Sequence, residues 1–276
     1  MELPSSLEPP LIKICDLIFA LIPREVPSLE NLQKCKIISH RGQHDNVEIV
    51  ENTFNAFDIS LNTKGVWGIE LDIRWTKDLC PVVFHDPDLQ RLYGLKIRIS
   101  ETTRSKLKKL FPQIPTLKEI VSRYGEKLHL MVEAKEELNV QTQKQNKILE
   151  DIFQKLEPSK DFHLLALNPK ILDTINFVDA SSKIIVAIFN EKWLSKISLD
   201  KNYSGIGGHY LLISNKIIQQ HLNFGQKIGV GYPNSKNSLF REINRGVEWI
   251  FCNDAVNLSN ILQDELEKTK SNVFIQ

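Results

Sequence analysis

The strongest constraint on the fold is a repeating beat, in which short apolar, β-prone runs each give way to an amphipathic segment. Strands read at residues 36–39, 69–73, 128–134, 162–167, 183–189, within 207–213, 227–231 and 249–252. Asn168 before Pro169, Asn190 and Ser214 stand where helices open, and Gly225 and Gly246 stand where they close. Eight strands, each followed by a helix, over roughly 250 residues are what a (β/α)8 TIM barrel needs. A doubly wound open sheet is the alternative, but no glycine-rich phosphate loop supports it. The expected barrel is distorted, with a hairpin arm at 81–85 after the second strand and a small insertion at about 86–115. Thr116 and Glu119 form a capping box for the helix that follows, and Leu117, Ile120, Val121 and Tyr124 form its apolar stripe. No linker or low-complexity stretch interrupts the pattern, so residues 35–276 read as one barrel domain behind an apolar helical extension at 1–34.

The second strand is the most informative element. In Gly68-Ile69-Glu70-Leu71-Asp72-Ile73-Arg74 the apolar and charged residues alternate, which puts three apolar groups on one face and three charges on the other. Two carboxylates on one face of a buried strand need cations opposite them. The chain returns through Lys77-Asp78-Leu79 to Pro81-Val82-Val83-Phe84-His85-Asp86, and a turn centred between Asp78 and Leu79 would set Asp72 opposite His85. A salt-bridged surface hairpin is the plainer alternative.

Placed on a barrel, the polar residues gather at one end. His40 and Arg41 close the first strand, Glu70 and Asp72 lie late in the second, His85 ends the arm, and Glu133 and Lys135 end the next strand. That end is where barrel enzymes carry their active sites. Three carboxylates (Glu70, Asp72, Glu133) suit a hard divalent cation, Mg²⁺ or Ca²⁺. Arg41 and Lys135 offer anion recognition, and His40 and His85 offer a proton donor and acceptor near neutral pH. Cation, cationic clamp and histidine pair together describe phosphoryl-ester chemistry. The formal net charge of +1 excludes a basic nucleic-acid footprint. Cys15, Cys35, Cys80 and Cys252 are scattered with no CxxC spacing, which suits a reducing, cytoplasmic setting and not a zinc site.

The ordered motifs His40-Arg41-Gly42, Glu51-Asn52-Thr53 with Ala56-Phe57, Glu70-Leu71-Asp72, Thr76-Lys77-Asp78, Pro81-Val82-Val83 with His85-Asp86, Ile114-Pro115-Thr116-Leu117, and Glu133 with Lys135 resemble those of the glycerophosphodiester phosphodiesterases. The resemblance is specific from residue 37 to about 136 and thinner beyond, where Gly246–Ile250 with Asn253-Asp254 looks like the family's last strand. It implies a distorted barrel like that of phosphatidylinositol-specific phospholipases C, and metal-dependent cleavage of sn-glycero-3-phospho-alcohols. By motif, Glu70, Asp72 and Glu133 would hold the metal, His40 and His85 would be the acid/base pair, and Arg41 and Lys135 would hold the phosphate. One departure is Gly231-Tyr232-Pro233, where the family would place a tryptophan on the alcohol side of the pocket.

Several residues carry two readings. His44 reads as a solvated loop residue or a substrate contact, and Glu51 and Asn52 as braces for the ligands or plain helix capping. His209 lies near the rim, while His129, His163 and His221 read as structural. Residues 11–22 are strongly apolar but too short to span a bilayer and unlike a signal peptide. They read as a helix packed against the barrel's bottom face, with peripheral membrane contact as the alternative. Two functional alternatives accompany hydrolysis of a small-molecule glycerophosphodiester. They are lysophospholipase D-type cleavage at a membrane and a catalytically silent phosphate-binding barrel.

Overall fold

The computed structural model describes residues 14, 17–138 and 141–273. Its strands are β1 Lys36–His40, β2 Val66–Trp75, β3 Pro81–Val83, β4 His129–Ala134, β5 Phe162–Ala166, β6 Lys183–Ala187, β7 Gly205–His209, β8 Lys227–Gly231 and β9 Trp249–Cys252. Setting β3 aside, eight parallel strands run β1-β9-β8-β7-β6-β5-β4-β2, and a β1–β2 pairing closes the ring. This is a (β/α)8 TIM barrel. The arm β3 pairs antiparallel with residues 73–75 of β2, beyond the stretch where β2 pairs with β1. The ten residues of β2 therefore serve the barrel first and the arm second.

The alternation in β2 is used as its pattern implies. Ile69, Leu71 and Ile73 are buried in the layer between sheet and helices, while Glu70 and Asp72 are buried on the opposite face. The barrel interior is filled by Ile38, Met131, Leu165, Ile184 and Trp249. The insertion folds as two helices, Gln90–Tyr93 and Arg104–Leu110, with a 3-10 turn between. It has a core of its own around Phe84, Leu89, Ile99, Leu107 and Phe111.

Three expectations are corrected. The arm pairs Ile73 with Val83, and the Phe84 amide donates to the Asp72 carbonyl at 2.9 Å, so Asp72 faces Phe84 and not His85. The connection is symmetric about Asp78, with Leu79 left-handed at φ 58°, and this moves the register by one residue. Strand β7 begins at Gly205, ahead of the expected stretch. A Cβ at Gly205 would lie 2.0 Å from the Lys227 carbonyl oxygen, so glycine alone permits that approach. Asn190 opens its helix without a side-chain cap, whereas Asn168 and Ser214 cap theirs.

At the floor of the barrel a hydrogen-bond chain replaces apolar packing. The His129 Nδ1 hydrogen goes to the Lys160 carbonyl (2.9 Å), so His129 Nε2 must accept from His163 Nδ1 (2.8 Å). His163 Nε2 then accepts from the Ser204 hydroxyl (2.9 Å). Burial pushes His129 down to about 4; burial, then the neighbouring His129, pushes His163 down to about 3. Both stay neutral in the fold, while the unfolded chain takes up protons below about pH 6.5. Stability is therefore undiminished above that pH and falls as pH drops towards the folded values. The thermal midpoint should decline between about pH 7 and pH 5, less steeply in the His129→Gln, His163→Gln double variant. An unchanged slope would assign the decline to other groups.

Of the apolar stretch 11–22, residues 11–13, 15 and 16 lie outside the described residues. Residues 17–20 are helical, and they do not reach the barrel's floor. Phe19 packs edge-on to Tyr210, just past β7, with the Arg241 guanidinium 4.9 Å from its ring centroid. Asn237 and Asn244, at the two ends of the helix Lys236–Asn244, donate to the carbonyls of Ala20 and Glu25. From residue 17 the described chain thus lies beside the C-terminal rim and descends that helix to reach β1. Among the described residues no helix is long and apolar enough to cross a membrane.

Candidate active site

The parallel strands bring their C-terminal ends to one rim, and β1, β2 and β4 deliver the charged groups there. Glu70, Asp72 and Glu133 each place a carboxylate oxygen within 4.8 Å of the others. Burial, then Asp72 and Glu133, pushes Glu70 well above the usual carboxylate range. Burial acts the same way on Asp72, but Lys135 and then Arg41 overcome it and hold Asp72 well below its ordinary value. Lys135 lies 2.9 Å from Asp72 Oδ1 and 2.6 Å from Glu133 Oε1. Glu70 Oε1 is buried with no hydrogen-bond partner among the described residues. Three oxygen donors from two strands, one of them orphaned, fit a hard divalent cation. No cysteine shares the cluster.

The turn after β1 aims its residues by adopting left-handed backbone. Arg41 (φ 56°) and Gly42 (φ 78°) reverse the chain, and the Arg41 amide donates to Glu70 Oε2 at 3.2 Å. A Cβ at Gly42 would sit 2.7 Å from that of Ala56, so a glycine is required where the turn meets the helix Phe54–Asn62. The Arg41 side chain pairs with Asp72 and with Glu51, each at 3.2 Å. Asn52, left-handed at φ 60°, donates to Asp72 Oδ2 at 2.8 Å. Thr53 caps the following helix, so Glu51 and Asn52 act as braces and not as caps.

Each of the two candidate histidines has one ring nitrogen fixed. His40 Nδ1 lies 2.7 Å from Asn253 Oδ1, an acceptor, so its Nε2 is left without a hydrogen and lies 3.8 Å from Glu70. Burial, then Arg41, lowers His40 to about 3. His85 Nδ1 lies 2.7 Å from Asp86 Oδ1, and its carbonyl accepts from Arg74. His44 is not solvated: its Nδ1 bonds the Gly42 carbonyl at 2.8 Å, and Glu51 lies 3.9 Å from Nε2. His209 stacks on Tyr210 and tilts against Tyr232, whose ring meets His40 edge-on.

A model of the glycerophosphoryl diester phosphodiesterase family matches residues 40–245, well over half of the chain. The chain belongs to that family. The glycerophosphodiester phosphodiesterase of Caldanaerobacter subterraneus subsp. tengcongensis is 35% identical over 105 residues, 34% of this chain and 42% of that protein. The chain thus spans less than half the length of the curated relatives it matches. The glycerophosphodiester phosphodiesterase structure from Thermotoga maritima superposes with a TM-score of 0.68 at 23% identity, covering 82% of this chain and 98% of that one. A phosphodiesterase from Oleispira antarctica, solved with sn-glycerol-3-phosphate, has a TM-score of 0.68 at 18% identity, with 84% and 96% covered.

One residue of this phosphodiesterase-family chain escaped the sequence reading altogether. Arg91, in the short helix of the insertion, forms a fork to Glu51 (2.6 and 3.1 Å) and reaches Asp86 through Nε (2.6 Å). It joins the brace of Arg41 to the partner of His85. Its spacing carries no periodic signal, because it acts through residues 5 and 40 positions away. Against burial, Arg91 and then Arg41 hold Glu51 at about 2. Arg91→Gln is expected to lower turnover roughly tenfold by loosening both partners, with Arg91→Lys retaining part of it. Steady-state kinetics with a melting curve check this; equal turnover in Arg91→Gln would make the fork structural only.

Proposed function

We propose that the chain is an enzyme that hydrolyses glycerophosphodiesters to sn-glycerol 3-phosphate and an alcohol. The observation that carries this is the joining of the carboxylate cluster, Arg41 and Lys135 on one rim with two histidines whose Nδ1 atoms are already engaged. Glu70, Asp72 and Glu133 would hold a divalent cation, Mg²⁺ or Ca²⁺, which when bound supplies charge neutralisation at the phosphodiester. Arg41 and Lys135 bind the phosphate's non-bridging oxygens. Lys135 now bridges Asp72 and Glu133, so it is already aimed at the place where negative charge collects.

His40 and His85 each keep Nε2 for the reaction, because Asn253 and Asp86 hold the other nitrogen. One imidazole takes the nucleophile's proton and the other returns a proton to the departing alkoxide, which leaves as the alcohol. The nucleophile is either water or the glycerol hydroxyl next to the phosphate. In the second case a cyclic phosphate forms first and water opens it. Phosphorus NMR during turnover separates the two routes, since only the second shows the cyclic ester. The free Cys35, Cys80 and Cys252 support a reducing, cytoplasmic setting. The test of the whole reading is release of glycerol 3-phosphate from a panel of glycerophosphodiesters, with and without chelator. No release from any member would overturn it.

A further inference from the structure

Apolar side chains stand exposed on the same rim, in segments that follow or lie beside consecutive strands. Phe189 and Trp193 follow β6, Leu211 follows β7, and Leu17, Ile18 and Leu21 belong to the N-terminal segment that Phe19 anchors on Tyr210. Their exposures run from 38% for Leu211 to 76% for Leu21. Strands β6, β7 and β8 are consecutive in the ring, so these three contributions are neighbours. The opposite end of the barrel shows a smaller pair on this side, Leu222 and Phe224. Six large apolar groups from three segments exceed the scattered exposure that any soluble surface carries.

Cations accompany them. Lys192 and Lys216 are exposed at the second positions of the helices Glu191–Asp200 and Asn215–Asn223. Glu191 is the one acid in the first turns of those two helices. Tryptophan and other apolar groups flanked by lysines are the composition that settles at the boundary of lipid headgroups and acyl chains. A second copy of the chain would bring like charge to like charge, because the same lysines would face each other.

We propose that this sector of the rim docks on an anionic phospholipid bilayer, with the apolar side chains at the headgroup level and Lys192 and Lys216 on lipid phosphates. The site described above then opens towards the lipid surface. This placement rests on the catalytic reading only in taking that rim as the mouth, and membrane binding is read separately from hydrolysis.

The experiment is co-sedimentation of the full chain with phosphatidylcholine vesicles, with and without phosphatidylglycerol, alongside hydrolysis of soluble glycerophosphocholine. The full chain should sediment with the anionic vesicles and be released by salt. Trp193→Ser with Phe189→Ser should reduce binding, and Lys192→Glu with Lys216→Glu should cut partitioning roughly tenfold or more. Both variants should hydrolyse the soluble substrate as before, since none of these residues touches the site. No sedimentation with any vesicle, or binding undiminished in both variants, overturns the proposal. Self-association that Trp193→Ser abolishes, without vesicle binding, assigns the surface to a second copy and also overturns it. Failure to hydrolyse the soluble diester with vesicle binding intact would count against the catalytic reading alone.

Discussion

Alanine at His40 or at His85 is expected to slow hydrolysis of a glycerophosphodiester by about 10²- to 10⁴-fold, the contribution of a positioned acid or base. On the proposed mechanism the two would act in one proton circuit, so the double variant should lose little more than either single one. His44→Ala is the control: its ring is spent on the Gly42 carbonyl and on Glu51, and it should cost far less. Turnover measured under saturating substrate decides the matter. A loss at His44 matching that at His40 would mean the wrong imidazole in the first loop has been chosen. Asn253 and Asp86 refine the test, because each holds the Nδ1 of one histidine; if they act through the rings alone, their removal should lower turnover and leave KM nearly unchanged.

Removing the cation should be as damaging. Chelation is expected to abolish activity, with Mg²⁺ or Ca²⁺ restoring it, and Asp72→Asn should cost well over tenfold at nearly constant side-chain volume. The physical reason is the crowding at the rim: with Glu70, Asp72 and Glu133 within 4.8 Å, Lys135 and Arg41 balance Asp72 but leave Glu70 unpaired on one oxygen. Asp72→Asn also leaves Arg41 and Lys135 with less negative charge to face, so its melting curve must be recorded beside its rate. A folded, fully active Asp72→Asn, or full turnover in excess EDTA, would sink the cation assignment.

Much of this was legible in the chain because the barrel's physics is local. Period-two alternation placed Glu70 and Asp72 on the face away from Ile69, Leu71 and Ile73, and the capping residues Thr116, Asn168 and Ser214 located three helix starts. The site residues at the strand ends came with them. What the sequence did not reveal depends on contacts far apart in the chain. The arm's register turned on one left-handed residue, Leu79, and the start of β7 on an approach between Gly205 and Lys227. Arg91 shows no pattern at all until the insertion folds over Glu51. The apolar run near the N-terminus could be read as needing cover, but not that Phe19 would be the large apolar residue, among those described, tucked in beside Tyr210.

The filled interior has a consequence for traffic. Ile38, Met131, Leu165, Ile184 and Trp249 occupy the lumen, and the His129–His163–Ser204 chain lies beneath them. Among the described residues the filled lumen therefore leaves no way through the barrel. On the proposed function, diester would enter, and alcohol and phosphate monoester would leave, by the doorway at the rim. On the proposed function the monoester would keep the charges that Arg41 and Lys135 hold, so it would be the slower product to leave. Until the monoester left, the next diester would wait outside. Accumulating glycerol 3-phosphate is therefore expected to slow the enzyme by competing with substrate for the doorway's one seat, raising the apparent KM without changing the limiting rate.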